Sequence, residues 1–148
     1  MLTKTEFWLY SWLWGFIMTL LGVIIFGILR LCGFKPEKNQ YGYAIRIGSP
    51  GWGGISFGPY CLVSPTTSQH TLDHEFGHAL QNCVFGPGMI FIGLASAARY
   101  QYREFLHNVL KKKYSDMPDY DDIWFEGQAT LWGEYYRKSN KNENTKEQ

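Results

Sequence analysis

Charge imbalance is what this chain of 148 residues has least of. Its 14 Lys and Arg face 13 Asp and Glu, for a formal net charge of +1. Nothing in that balance points to a nucleic-acid partner or a strongly acidic substrate. Cysteine is scarce too. Cys32, Cys61 and Cys83 are odd in number, and their spacing fits neither a disulfide framework nor a cysteine-type zinc site. A reducing compartment is the simpler expectation. No small-residue cleavage site follows the first apolar run, which argues against a removed signal peptide. The length leaves room for one domain.

Charge is missing altogether from Phe7 to Leu29, inside the longest apolar run, Phe7 to Leu31. A helix over Phe7 to Leu29 would rise about 35 Å, against about 30 Å of bilayer hydrocarbon. Trp8, Tyr10, Trp12 and Trp14 cluster near its start, as in an aromatic belt. The expectation is one membrane-spanning helix within residues 1–33, with the lipid bilayer as partner. Arg30, Lys35, Lys38 and Arg46 follow the run, so the positive-inside rule puts the rest of the chain in the cytoplasm.

Phe34 to Gln40 reads as a polar linker, with Pro36 opposing helix continuation. Tyr41 to Ile47 alternates as a strand. Ile55 to Phe57 and Tyr60 to Val63 read as two more, around Gly58-Pro59. A small antiparallel sheet is expected before the next helix, and the fold class is α+β. Met89 to Ala98 is apolar but too short to span, so a buried core helix is expected, with a membrane contact as the alternative. Arg99 to Lys113 suits an amphipathic helix whose basic side faces either anionic headgroups or water. Ser115 to Asp122 is an Asp-rich loop, and Ile123 to Tyr136 a second long helix. Residues 138–148 read as a polar tail without fixed structure.

The chemistry concentrates in His74-Glu75-Phe76-Gly77-His78, which reads H-E-x-x-H. On a helix, positions i and i+4 share a face, so both imidazoles can hold one Zn²⁺. Glu75 would then reach a water rather than the metal, as a general base. Ser68 or Thr71 can cap this helix, and Leu72, Phe76 and Leu80 recur at helical spacing.

Zinc chemistry needs a third protein ligand. Glu126 is the better candidate, because Ala129 and Gly133 follow at i+3 and i+7 and would let its helix come close. Glu134, about 80° further round the helix, is the alternative. His70 would share the ligand face only if the helix began that early.

HEFGH followed by a Glu-x-x-Ala helix resembles the zincin metallopeptidases of the two-His, one-Glu type. A closer resemblance is to small bacterial membrane proteins of that kind, through WGGISFGPYCLVS, HEFGHALQN, GPGMIFIGLAS and FEGQATLWG, within about residues 41 to 136. The resemblance implies a zincin-like domain over residues 34–137 that hydrolyses peptide bonds in a peptide or protein substrate. It also implies that a strand preceding the active-site helix, here Tyr60 to Val63, binds the substrate backbone. Better-known members carry an Asp four residues after the third ligand to orient a ligand His. Here that place is Thr130, and Gln128 or Asp73 are the substitutes in view. Tyr60, His107, Tyr135 and Tyr136 are the candidate oxyanion donors. Two other readings stay open: a non-enzymatic membrane protein with a structural metal site, and an intramembrane protease of the site-two type.

Overall fold

A computed structural model describes residues 1–146, with side chains through Asn140. Among them the fold is α+β, with five α-helices and one sheet of four strands. In chain order these are α1 (Lys4–Leu13), α2 (Phe16–Leu31), β1 (Glu37–Asn39), β2 (Gly42–Arg46), β3 (Gly54–Phe57), β4 (Tyr60–Val63), α3 (Gln69–Phe85), α4 (Met89–Asn108) and α5 (Trp124–Lys146). Short 3-10 turns cover Gly86–Gly88, Tyr114–Asp116 and Tyr120–Asp122. α5 runs on to Lys146, so most of the expected polar tail continues a helix.

The expected single span is broken. α1 and α2 meet at an angle of 98° at Trp14-Gly15. Side chains tie the elbow to itself and to α3. Thr19 Oγ1 donates to Ser11 O at 2.8 Å, and Asn82 Nδ2, from α3, donates to Gly15 O at 3.2 Å. Trp14 Nε1 donates to Val84 O at 3.0 Å. A Cβ on Gly15 would stand 2.1 Å from Asn82 Nδ2, so this position has to be glycine. α2 alone has 16 residues and rises about 24 Å, short of the hydrocarbon thickness.

α1 is part of the main core. Its Phe7 is fully buried against Phe76, Ala79, Leu80 and Cys83 of α3 and Tyr136 of α5. Residues on either side of position 33 therefore share one core.

The sheet is mixed, not antiparallel. Its order is β1-β2-β4-β3, with β2 and β4 parallel from Tyr43↔Tyr60 to Arg46↔Val63. The β1–β2 and β3–β4 pairs are antiparallel. After β2 the chain swings out through Gly48, Gly51 and Gly53, all at positive φ. It lays down β3 at the edge and only then inserts β4 beside β2. The edge strand packed on α3 is therefore β3, and Tyr60 to Val63 lies inside the sheet.

α3 and α5 form the most extensive helix pair, and glycine sets their spacing. A Cβ on Gly77 would stand 1.8 Å from Ala129 O, and one on Gly133 would stand 1.7 Å from Asp73 O.

The stretch Gln69–Asn108 is long and apolar enough, by length and composition, to cross a membrane. It does not run straight. Ser96 Oγ and Tyr120 Oη are 2.8 Å apart, and the Tyr120 ring lies 6.4 Å from that of His74. A straight helix would part residues 74 and 96 by about 33 Å. The chain therefore turns back at Gly86–Gly88. α4 is not a core helix: only Met89 is buried, while Phe91 and Leu94 are exposed.

Candidate metal centre

Ser68 caps α3 by accepting from Thr71 N at 3.2 Å, and the helix carries His74 and His78 one turn apart. α5 brings Glu126 against them. His74 Nε2, His78 Nε2 and Glu126 Oε2 form a triangle with sides of 3.1, 3.1 and 3.2 Å. All three residues are buried, Glu126 completely. A tetrahedral zinc with bonds of about 2.0–2.1 Å separates neighbouring donors by about 3.3–3.4 Å. The triangle has that scale.

The outer hydrogen bonds decide what the triangle can hold. Gln81 Nε2 donates to Phe125 O at 2.6 Å, which turns Gln81 Oε1 to His78 Nδ1 at 2.8 Å. His78 must therefore carry its proton on Nδ1. Thr130 Oγ1 donates to Asp121 Oδ2 at 2.9 Å, so toward His74 Nδ1, at 2.8 Å, it can only accept. His74 is fixed the same way. Both Nε2 atoms are thus left as lone-pair donors facing a carboxylate oxygen. Three such groups converging in a buried place can hold a cation between them.

The electrostatics agree. Burial disfavours a charged His78, but hydrogen bonding to Glu126 and the charges of Glu75 and Glu126 outweigh it and raise the imidazole above its usual range. Burial also pushes Glu126 up, yet the His74 and His78 imidazoles hold it well below ordinary carboxylates. The site attracts positive charge.

Glu75 is buried but is not one of the converging groups. Its Oε2 accepts from Ser56 Oγ of β3 at 2.5 Å. The backbone of Gly54 leaves room for the carboxylate, since a Cβ there would stand 2.5 Å from Oε1. The edge strand thus holds Glu75 from the side.

The remaining candidates lie elsewhere. Glu134 is part-exposed and paired with Lys138 at 3.1 Å. His70 does fall within α3, but it is exposed, with Glu134 at 4.0 Å. Asp73 accepts from Arg137 at 2.5 Å and from Gln69 at 3.0 Å, and orients neither histidine. Gln128 sits one step back, accepting from Gln81 at 3.1 Å. None of the four proposed oxyanion donors is aimed at the triangle. Tyr60 packs on Phe26 and Tyr43, and His107 stacks on Tyr114. Tyr135 is exposed, and the Tyr136 hydroxyl accepts from Leu2 N at 2.5 Å.

Sequence reasoning missed Gln81, Asp121, Ser56 and Tyr120. Gln81 had a local signal, lying at i+3 from His78 on the ligand face. Asp121 and Tyr120 come from a 3-10 turn whose position only the folded chain discloses. Tyr120 is pushed up to about 12, first by burial and then by the Glu126 and Glu75 carboxylates, so it stays protonated.

Thr130→Val should weaken zinc binding by about 10–100-fold, the usual cost of losing a group that orients a ligand histidine. Thr130→Ser should restore it. Competition with a chromophoric chelator reads the difference, and an unchanged affinity in Thr130→Val would remove Thr130 from the site.

No protein-family model, curated protein or solved structure matches this chain.

Proposed function

We propose that the chain is a membrane-anchored zinc peptidase of the zincin type. His74, His78 and Glu126 hold the metal, and Glu75 acts as the general base. The observation that carries this reading is the division of labour around the triangle. Three lone-pair donors converge, and a second acidic group, Glu75, stands beside them without joining.

When bound, zinc supplies Lewis acidity toward a carbonyl oxygen and a lowered pKa for water. Glu75, held by Ser56, takes the proton from the attacking water and returns it to the leaving amine. Thr130 and Gln81 keep both imidazoles in the tautomer that binds metal. Tyr120, protonated and beside His74, is the donor for the negative charge that develops on the carbonyl oxygen. The free edge of β3 takes the extended substrate backbone.

α2 attaches the protein to the bilayer. Arg30, Lys35 and Lys38 at and beyond its end suit the anionic headgroups of a cytoplasmic leaflet, which would put the metal site on that side.

Metal analysis of the purified full chain, together with digestion of a peptide library, tests the reading. Stoichiometric zinc and chelator-sensitive cleavage are expected. Zinc without any cleavage would favour a structural metal site, and absence of zinc after reconstitution would end the proposal.

A further inference from the structure

α4 carries an exposed apolar stripe along its whole length. Phe91, Leu94, Ala98, Tyr102, Phe105 and Val109 follow at steps of three and four, the spacing of one helix face. All six are exposed, Phe91 at 75 %. In a water-soluble protein such a stripe faces the core. Here the side that faces inward is polar. Ser96 meets Tyr120, Arg99 donates to Asp119 O, and Arg103 donates to Pro118 O. The guanidinium groups of Arg99 and Arg103 also stand over the rings of Tyr120 and Tyr114. The basic residues of the helix are thus spent on the loop that supplies Tyr120 and Asp121 to the metal centre. Of the expected basic side, Arg99 and Arg103 thus turn to this loop, neither to headgroups nor to water.

We propose that α4 lies in the plane of a membrane surface, its apolar stripe in the acyl boundary and its polar face against the metal centre. This goes beyond attachment through α2 and depends on neither zinc nor cleavage. Three observations choose a bilayer as occupant. Lys111, Lys112 and Lys113 directly follow the stripe, exposed and without an ion pair among the described residues, and suit anionic headgroups. α2, which exposes Leu20, Ile24 and Ile28, packs against the same Gly86–Gly88 turn that opens α4, so the two apolar helices meet at one turn. Tyr100 and Tyr102 add exposed amphipathic rings of the kind that belongs at an interface. Crossing is excluded. The apolar part before Arg99 rises only about 15 Å, and Arg99, Arg103, Glu104 and His107 occupy the rest.

The geometry has a consequence for the substrate of the proposed peptidase. The helix that backs Tyr120 would rest on lipid, so the metal centre would lie within one helix of the bilayer surface. A membrane-borne polypeptide would meet it more readily than a free peptide.

The test uses the full chain in phosphatidylcholine vesicles containing phosphatidylglycerol. Cys61 and Cys83 are buried, so a Cys32→Ser background leaves no exposed thiol. Phe91→Cys, Phe105→Cys, Ile24→Cys and Lys138→Cys are each labelled with an environment-sensitive fluorophore. The labels at 91, 105 and 24 should shift to the blue and be quenched by spin-labelled lipid several-fold more strongly than the label at 138. Replacing Lys111, Lys112 and Lys113 by Gln should reduce quenching at 105 and leave that at 24 unchanged.

Labels at 91 and 105 quenched no more than the one at 138 would overturn the proposal, whatever the label at 24 does. Labels shielded from water but untouched by lipid quencher, with Phe91→Cys cross-linking between two chains, would assign the stripe to a second copy and overturn it equally. Quenching at 91 and 105 without quenching at 24 would support α4 as a membrane element and remove α2.

Discussion

Glu126→Ala should empty the metal centre. The carboxylate is one of three converging donors and the only anionic one. Its loss leaves two neutral imidazoles, which bind zinc far more weakly than three ligands do. The effect should exceed the about 10–100-fold seen when a mere supporting partner is removed. Zinc per chain should fall to background after dialysis, and activity should vanish with it. Glu134→Ala is the control, because Glu134 pairs with Lys138 on the outer part of α5. It should keep its metal. Retained zinc in Glu126→Ala, with loss in Glu134→Ala, would move the third ligand to Glu134. The alanine also leaves a small cavity at a fully buried position, so Glu126→Gln is the second variant. It fills the space, offers a weaker neutral ligand, and should lose zinc at lower chelator concentration than wild type. An unfolded Glu126→Ala therefore leaves the assignment testable.

The trio His74, His78 and Glu126 was legible because its signals are local. The two histidines are one helical turn apart, and Ala129 and Gly133 beside Glu126 mark a close helix approach. That approach is now visible in the contact of Gly77 with Ala129 and of Gly133 with Asp73. The α1–α2 elbow was not legible. Hydropathy runs through Trp14-Gly15 without a break, and the bend is stabilised by Asn82 and Val84, remote in sequence. A periodic apolar pattern reports which residues avoid water, not which partner removes it. The same limit explains α4, whose apolar half suggests a core helix although, among the described residues, its outer face is exposed. The parallel pairing of β2 with β4 was equally hidden, since it depends on where the glycine-rich turn after β2 delivers the chain.

Thr130 shows a subtler failure. Read alone, it breaks the expected support for a ligand histidine, because a hydroxyl cannot carry the charge of a carboxylate. Folded, it relays that charge. Asp121 accepts the hydrogen bond of the Thr130 hydroxyl, and Thr130 presents its lone pair to His74. Two residues from separate elements do the work of one, and neither position discloses this by itself. Gln81 does the corresponding work for His78 without any charge. His74 and His78 are thus supported unequally, with a carboxylate behind only one of them.

Glu75→Gln should separate binding from chemistry. Glutamine keeps the length of the side chain and an oxygen that can accept from Ser56, so α3 and both imidazoles stay in place. Zinc content should match wild type, because Glu75 is not among the converging donors. What the amide cannot do is take a proton from water. Removing a positioned general base costs about 10²–10⁴-fold in rate, and peptide cleavage should fall by that order. The fall should appear in kcat, with KM little changed, because the proton moves only as the bond to carbon forms. A full zinc load with unchanged cleavage would show that some other group takes the proton, and Asp121 would be the next candidate. Loss of zinc in Glu75→Gln would count against the division of roles itself, since a base that stands outside the triangle is not needed to hold the metal. Ser56→Ala supplies an intermediate case. It frees the carboxylate without removing it, so cleavage should drop less than in Glu75→Gln while zinc stays bound.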